Sequence, residues 1–375
     1  MAAIYLHIPF CKQACYYCDF HFSTQLRQKV EMVNAMCQEI ALQKNYLNGQ
    51  IIQSIYFGGG TPSLLNEQEL NQLLETLYSY FEISPQAEIT LEANPDDIQI
   101  EKLKLWKQLN INRLSIGVQS FHDLNLKYLH RVHNADLAKK SILQAQDAGF
   151  ENLTIDLIYA IPTSSEAIWQ ADLARALALQ VPHISAYCLT IEEKTVFGKW
   201  LKQQKIQDIN EDHAALQFEI LIQTLTQAGF VHYEISNFAK PGKFAQHNSN
   251  YWKKGHYLGI GASAHSYNGI SRQYNIANNA VYIQKIAQQI IPCQIEYLSP
   301  QEQLNEYIMT SLRTIWGCNL DYVQQNFNID LLQFQAEQIE NYLKNGLISI
   351  ENQTLRLTHK GKFLADKIAS DLFWV

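Results

Sequence analysis

Short apolar runs separated by helical stretches recur along most of this chain, and that alternation restricts its fold more than any single residue does. The runs span residues 4–8, 52–57, 88–93, 113–118, 152–158, 183–189 and 232–235, and they read as strands. Between them, Asn134 to Ala148 and Glu211 to Ala228 return apolar residues at three- and four-residue spacing, the period of a helix with one buried face. Ala148-Gly149-Phe150 and Ala228-Gly229-Phe230 each place glycine where a helix ends in a left-handed residue before the next strand. Asn110 is predicted to do the same before Arg113. Six or seven such units imply parallel strands, in either a barrel or a doubly wound sheet.

The residues that carry chemistry decide between these. Cys11, Cys15 and Cys18 follow the first strand, Gly58-Gly59-Gly60-Thr61-Pro62 the second, Glu92 closes the third, Gln119 the fourth, and Asp156 lies in the fifth. A barrel gathers the ends of all its strands on one face, whereas a doubly wound sheet concentrates its site at one switch point. Five contributing strands favour the barrel. The predicted fold is therefore α/β, with a partial (β/α) TIM-like barrel over residues 1–239. A connecting loop region over 240–294 follows, where the periodicity fails. Residues 295–375 change grammar, with helices near Pro300 to Ile315 and Leu331 to Leu343 and then a hairpin through Glu351-Asn352-Gln353. They are predicted to form a small α+β, winged-helix-like domain.

Such a shape can bind DNA, but residues 295–375 hold six Lys/Arg against ten Asp/Glu, and the whole chain carries a formal charge of -7. Nucleic acid is not an expected partner. No run approaches the roughly 20 apolar residues that span a bilayer. Seven cysteines in no paired spacing, with nothing resembling a secretory signal after Met1, lead us to expect reduced thiols in a cytoplasm.

Three thiolates as close as Cys11, Cys15 and Cys18 can hold a metal and leave one position open, which is where a metal or cluster meets substrate. With His21 as a fourth ligand they could equally close around zinc, and the spacing alone leaves both readings standing. Phe20 occupies the place of a nearby fourth cysteine. The triple glycine can bring bare backbone amides against a polar ligand or simply turn after a strand. Glu92 suits ribose hydroxyls. Asp156 sits between Ile155 and Leu157, and a carboxylate there needs a partner, with Arg131 or a ligand as candidates. Gln246-His247-Asn248-Ser249-Asn250-Tyr251-Trp252 sets an imidazole beside aromatics, a combination that can ligate haem iron, although a loop histidine is more often solvated or hydrogen-bonded. Gly259 to His265 is a second small-residue stretch, suited to a cofactor or to close packing. Cys37, Cys188, Cys293 and Cys318 read as structural thiols.

Taken together, these residues resemble the radical S-adenosylmethionine superfamily, whose cysteine loop has the C-x3-C-x2-C spacing of Cys11, Cys15 and Cys18. The resemblance implies a [4Fe-4S] cluster on those cysteines, with one iron free to be chelated by S-adenosylmethionine. Tyr5 to Cys11, Gly58 to Pro62, Gly117-Val118-Gln119-Ser120 and Asp156-Leu157-Ile158-Tyr159 are similar to the oxygen-independent coproporphyrinogen oxidase group across nearly the whole chain. By that likeness Tyr5, Tyr17, Gly59, Gly60, Thr61, Glu92, Gln119, Arg131, Asp156, Cys188 and His265 are expected to line the S-adenosylmethionine site. Two departures from the oxidase are visible, Phe20 in place of its fourth cysteine and a first strand that starts almost at Met1. Both resemble instead the haem chaperone branch, whose H-N-x-x-Y-W hallmark is His247 to Trp252. That branch implies haem bound near His247, Tyr251 and Trp252, with His247 a candidate iron ligand. It also implies transfer to acceptor proteins such as respiratory enzymes and peripheral membrane contact; the sequence leaves the oligomeric state open, a homodimer among the options. Coproporphyrinogen dehydrogenation and a zinc-stabilised binding protein are the alternatives.

Overall fold

In the computed structural model, which describes residues 2–374, the first six strands lie side by side in sequence order and all run parallel. They are β1 (Ala2–Ile8), β2 (Ile52–Gly59), β3 (Ile83–Ala93), β4 (Arg113–Gln119), β5 (Asn152–Tyr159) and β6 (His183–Cys188). Their side chains alternate in chemistry. Ile4, Leu6, Ile55, Phe57, Leu91, Leu114, Ile116, Ile155 and Ile184 belong to the large apolar core shared with the surrounding helices. Tyr5, His7, Ser54, Tyr56, Glu92, Ser115 and Asp156 occupy the intervening positions and line the barrel interior, where Tyr5 bonds to His7, Tyr56 to Glu92 and Ser115 to Asp156. Helices such as Ala135–Asp147 and Glu211–Gln227 are capped by Asn134 and Asn210, and Gly149 (φ +81°), Gly229 (φ +78°) and Asn110 (φ +60°) take the expected left-handed conformation.

The parallel run stops at six. The seventh run forms β7 (Val231–Glu234), which turns back antiparallel onto β8 (Asn237–Ala239), itself antiparallel to β6. The sheet edge there is a hairpin in place of a seventh β/α unit, because only Ile235 and Ser236 separate the two strands.

Residues 240–294 correct an expectation. Instead of a connecting loop they form a helix at Gln246–Trp252, then β9 (His256–Ile260), β10 (His265–Tyr267) and β11 (Ser271–Asn275), a helix at Asn279–Ala287, and β12 (Cys293–Tyr297). β9 pairs parallel with β1 and the rest extend the sheet antiparallel, so the open sheet has twelve strands with β12 and β7 at its edges. The elements are short, and each gives the core only a few apolar side chains, such as Leu258 and Ile260 on β9 and Tyr282 and Ile286 on the helix Asn279–Ala287, with polar contacts beside them. Buried Glu39 accepts from the backbone N–H of Gly261 at 2.8 Å and from Asn275 Nδ2 at 2.6 Å, pinning the extension to the helix Lys29–Leu42.

The C-terminal residues build a second core around Leu304, Ile308, Val323, Leu355 and Ile368. Its three-stranded sheet orders β13 (Cys318–Asn319), β15 (Thr354–Leu357) and β14 (Ile348–Glu351). Ile235 N donates to Arg313 O and Ile315 N to Tyr233 O, both at 3.0 Å, so the segment after the helix Pro300–Leu312 is stitched to the barrel's β7 edge. No helix among the described residues is long and apolar enough to cross a membrane.

Candidate functional site

A cavity of about 1140 Å³ opens over the C-terminal ends of the parallel strands. Cys11, Cys15 and Cys18 line it, together with Tyr17, Gly59, Gly60, Thr61, Glu92, Gln119, Arg131, Asp156 and Cys188. Most of the expected site is thus brought to one place. Tyr5 lies one layer deeper, its hydroxyl 3.2 Å from His7 Nδ1, and His265 stands outside the cavity on β10, stacked on Tyr274.

The cysteine loop is held from several sides. Lys12 pairs with Asp96 at 2.8 Å, Gln13 Nε2 donates to His130 O at 2.8 Å, and the Tyr16 ring stacks on His130 with centroids 4.1 Å apart. Thr61 donates to Cys11 Sγ, and Arg131 Nη1 to Cys15 Sγ, each at 3.3 Å. Burial pushes the Cys11 thiol up to about 11 and the Cys18 thiol up to about 12. Cluster binding must therefore displace their protons. His21 does not join the thiols. Its Nε2 donates to Asn279 Oδ1 at 2.7 Å and its backbone carbonyl accepts from His7 Nε2 at 2.8 Å, so the closed zinc arrangement is not assembled. Three thiols on a cavity wall beside a cationic guanidinium fit an iron–sulfur cluster that keeps one iron toward the cavity.

Gly59 has φ +100°, and a Cβ there would stand 2.5 Å from His7 Nδ1; one on Gly60 would stand 2.7 Å from Ile8 O. The glycines therefore let the loop lie flat on β1. Gly59 N donates to Glu92 Oε2 at 3.2 Å and Tyr56 OH to Glu92 Oε1 at 2.8 Å. Burial, eased by the Tyr56 bond and reinforced by nearby Asp156, raises the Glu92 carboxyl to about 8. Burial likewise raises Asp156 to about 6. Its hydrogen-bond partner is Ser115 at 3.1 Å, in place of the anticipated Arg131, whose Nη2 instead reaches Asn94 Oδ1 at 2.6 Å and Gly117 O at 2.9 Å. Arg131 Nε is buried without a partner. Two buried carboxyls, an orphaned guanidinium N–H and glycine backbone make a cradle fitted to a small polar ligand with hydroxyl, amine and carboxylate groups.

The H-N-x-x-Y-W helix is elsewhere. His247 is 1% exposed at the opposite end of the barrel, with Nδ1 2.9 Å from Ser54 Oγ and Nε2 2.8 Å from Tyr251 OH. Its backbone N–H donates to Glu88 at 3.1 Å, and its ring packs on Tyr56 with centroids 4.9 Å apart. Both ring nitrogens are engaged, and the surroundings lower its pKa to about 3, burial first and then Arg113. The geometry offers no open nitrogen to iron, because the helix serves as a plug for the barrel floor. Trp252 faces the other way, with the Arg313 guanidinium 5.5 Å from its ring centroid.

Several cavity residues carried no sequence signal. Ser115 and Tyr187 point inward only through strand register, and Phe218, Arg313, Lys362 and Phe363 arrive from helices and turns remote in sequence. Asn94 also lines the cavity, at the start of the turn Pro95–Asp97 that follows β3.

The description of the radical SAM superfamily matches residues 5–174, and that of the HemN C-terminal domain matches residues 298–364. Heme chaperone HemW of Bacillus subtilis (strain 168) is 33% identical over 371 residues, covering 98% of each chain. That of Lactococcus lactis (strain IL1403) is 33% identical over 373 residues, covering 97% of each. That of Escherichia coli (strain K12) is 38% identical over 267 residues, 70% of this chain and 69% of the relative. Among solved structures, coproporphyrinogen III oxidase (HemN) of Escherichia coli superposes with a TM-score of 0.84 over 99% of this chain and 90% of that one, at 24% identity. This likeness carries the fold. With relatives matched end to end at this identity, the chain belongs to the radical SAM superfamily and, within it, to the family of HemW haem chaperones.

Proposed function

We propose that this protein binds haem in the cavity above the cysteine loop and passes it to acceptor proteins, respiratory enzymes among them. The observation that carries this reading is the end-to-end similarity to proteins named haem chaperones. Membership of the superfamily brings a [4Fe-4S] cluster and S-adenosylmethionine as cofactors. When bound, they supply one-electron chemistry. In this reading Cys11, Cys15 and Cys18 hold the cluster and Arg131 positions Cys15. Glu92 and Asp156 accept hydrogen bonds from S-adenosylmethionine, while Gly59, Gly60 and Thr61 let it approach the backbone.

The cavity suits a flat ligand with an apolar body. Phe20, Phe22, Tyr159, Leu189, Phe218 and Phe363 supply apolar surface to its walls, and Arg313, Lys362 and Lys367 add cations on the C-terminal side. Phe20 is 64% exposed and puts a ring where the oxidase pattern has a thiol. The work is set in the cytoplasm, with peripheral membrane contact where the acceptor is a membrane enzyme; seven unpaired cysteines support a reducing compartment.

Anaerobic reconstitution followed by haem titration and coproporphyrinogen turnover tests the reading. Near-stoichiometric haem uptake, transfer to an apo-acceptor and no turnover are expected. Efficient decarboxylation of coproporphyrinogen by the parent protein would overturn it in favour of the oxidase.

A further inference from the structure

The C-terminal domain brings to the cavity wall a positive charge that the chain leaves without a counter-ion. Lys362, in the turn Gly361–Leu364, places its Nζ 3.0 Å from His232 Nδ1. The other nitrogen of that ring, Nε2, lies 3.0 Å from Ile235 O, and a carbonyl can only accept, so Nε2 carries the hydrogen. Nδ1 therefore offers its lone pair to the ammonium. Burial, with Lys362 nearby, keeps the imidazole neutral, its pKa lowered to about 3. Burial also lowers the Lys362 ammonium to about 8.

The other cations that this domain brings to the cavity are committed. Arg313 pairs with Asp366 at 2.6 Å and with Glu234 at 3.4 Å, and Lys367 with Asp371 at 2.8 Å. Among the described residues no carboxylate pairs with Lys362; Glu211 and Asp212 line the same cavity without reaching it. A half-buried ammonium held by a neutral imidazole is costly until an anion arrives. The surroundings define the rest of the ligand. Phe218 and Phe363 meet edge to face with centroids 5.1 Å apart, and Ile235 and Leu364 line the cavity beside them.

We infer that Lys362 anchors a carboxylate at the edge of the apolar ligand held in this cavity. On the haem reading, on which this inference rests, that carboxylate is a propionate. The turn Gly361–Leu364 then sets orientation, turning the carboxylate edge toward the C-terminal domain and the macrocycle toward the barrel.

Titrating haem and haem dimethyl ester against the reconstituted protein separates the possibilities. Lys362→Met is expected to weaken haem binding about tenfold or more, the loss of one charge-assisted bond, and ester binding less than about twofold. Lys362→Arg, which keeps the charge, is expected to stay within about threefold of the parent for haem. Equal losses for haem and ester in Lys362→Met, or no loss for either, would overturn the anchor. Ala215→Trp fills the same cavity from the exposed side of the helix Glu211–Gln227. Haem affinity unchanged in that variant would overturn the cavity reading itself, whatever Lys362→Met shows.

Discussion

Arg131 Nη1 lies 3.3 Å from Cys15 Sγ, while Nη2 of the same guanidinium is bonded to Asn94 at 2.6 Å and to the Gly117 carbonyl at 2.9 Å. One planar cation thus ties the cysteine loop to the ends of β3 and β4. Arg131→Gln removes the charge beside the sulfur and leaves a buried carbonyl short of a donor. Partners behind a metal ligand commonly contribute ten- to a hundredfold in metal affinity. The variant should lose iron to a chelator at least about tenfold faster than the parent, followed through the visible absorbance of the cluster. Arg131→Lys should restore little, because an ammonium cannot span both groups with fixed geometry.

Glu92 makes S-adenosylmethionine binding a proton-linked event. Burial raises its carboxyl to about 8, so near pH 7 it is protonated in the unliganded protein. Relative to an ordinary carboxyl its contribution to stability is complete below the ordinary pKa of 4.5 and is lost as pH rises through about 8. A ligand that brings donors or positive charge to Glu92 favours the ionised form and expels the proton. Calorimetry in buffers of different ionisation enthalpy should record release of a fraction of a proton at pH 7, vanishing above about pH 9. Glu92→Gln should abolish the release. A release that persists undiminished would overturn the assignment to Glu92, because Asp156, raised only to about 6, is already mostly ionised at pH 7.

Gly59 and Gly242 share a positive φ, +100° and +78°, but differ in surroundings. A Cβ on Gly59 meets the His7 ring at 2.5 Å, whereas one on Gly242 meets nothing within 4 Å. His7 cannot yield, being held between the Tyr5 hydroxyl and the His21 carbonyl. Gly242→Ala should cost about 1 kcal/mol from backbone strain alone. Gly59→Ala adds overpacking and should cost about 3 kcal/mol. Thermal unfolding measures the difference, and equal shifts would mean that the loop after β2 relaxes freely.

The barrel was legible because its strands carry two signals at once, apolar runs for the outer face and a reactive residue where each strand ends. Cys11, Gly59, Glu92, Gln119 and Asp156 converge because parallel strands must bring their C-terminal ends together. Residues 240–294 were illegible for the opposite reason. β9 to β12 are held largely by backbone pairing and by polar contacts to Glu39, and the few apolar residues they bury, such as Leu258 and Ile260, are too short a run to leave a clear hydrophobic period in sequence. The cavity's outer wall was equally hidden, since Phe218 reaches Phe363, and Lys362 joins the same cavity, only through the docking of the C-terminal domain at Arg313 and Ile315.

His247 separates a motif's appearance from its place. Its ring is enclosed between Ser54 and Tyr251, and the same neutral state is imposed by burial on His7 and His133, both lowered to about 4, and on His232, lowered to about 3. Each depressed pKa contributes stability that is present above 6.5 and lost as pH falls toward the folded value. Each such histidine should cost up to about 1.4 kcal/mol for every pH unit below 6.5. His247→Ala should flatten that acid slope, and at pH 7.5 it should destabilise by about 2–4 kcal/mol through the cavity and the two orphaned hydroxyls. Measured well below its lowered melting temperature, its haem affinity should stay within about threefold of the parent, because the ring faces the barrel floor. A loss of more than about tenfold with an unchanged melting temperature would require the plug to open and His247 to reach iron after all.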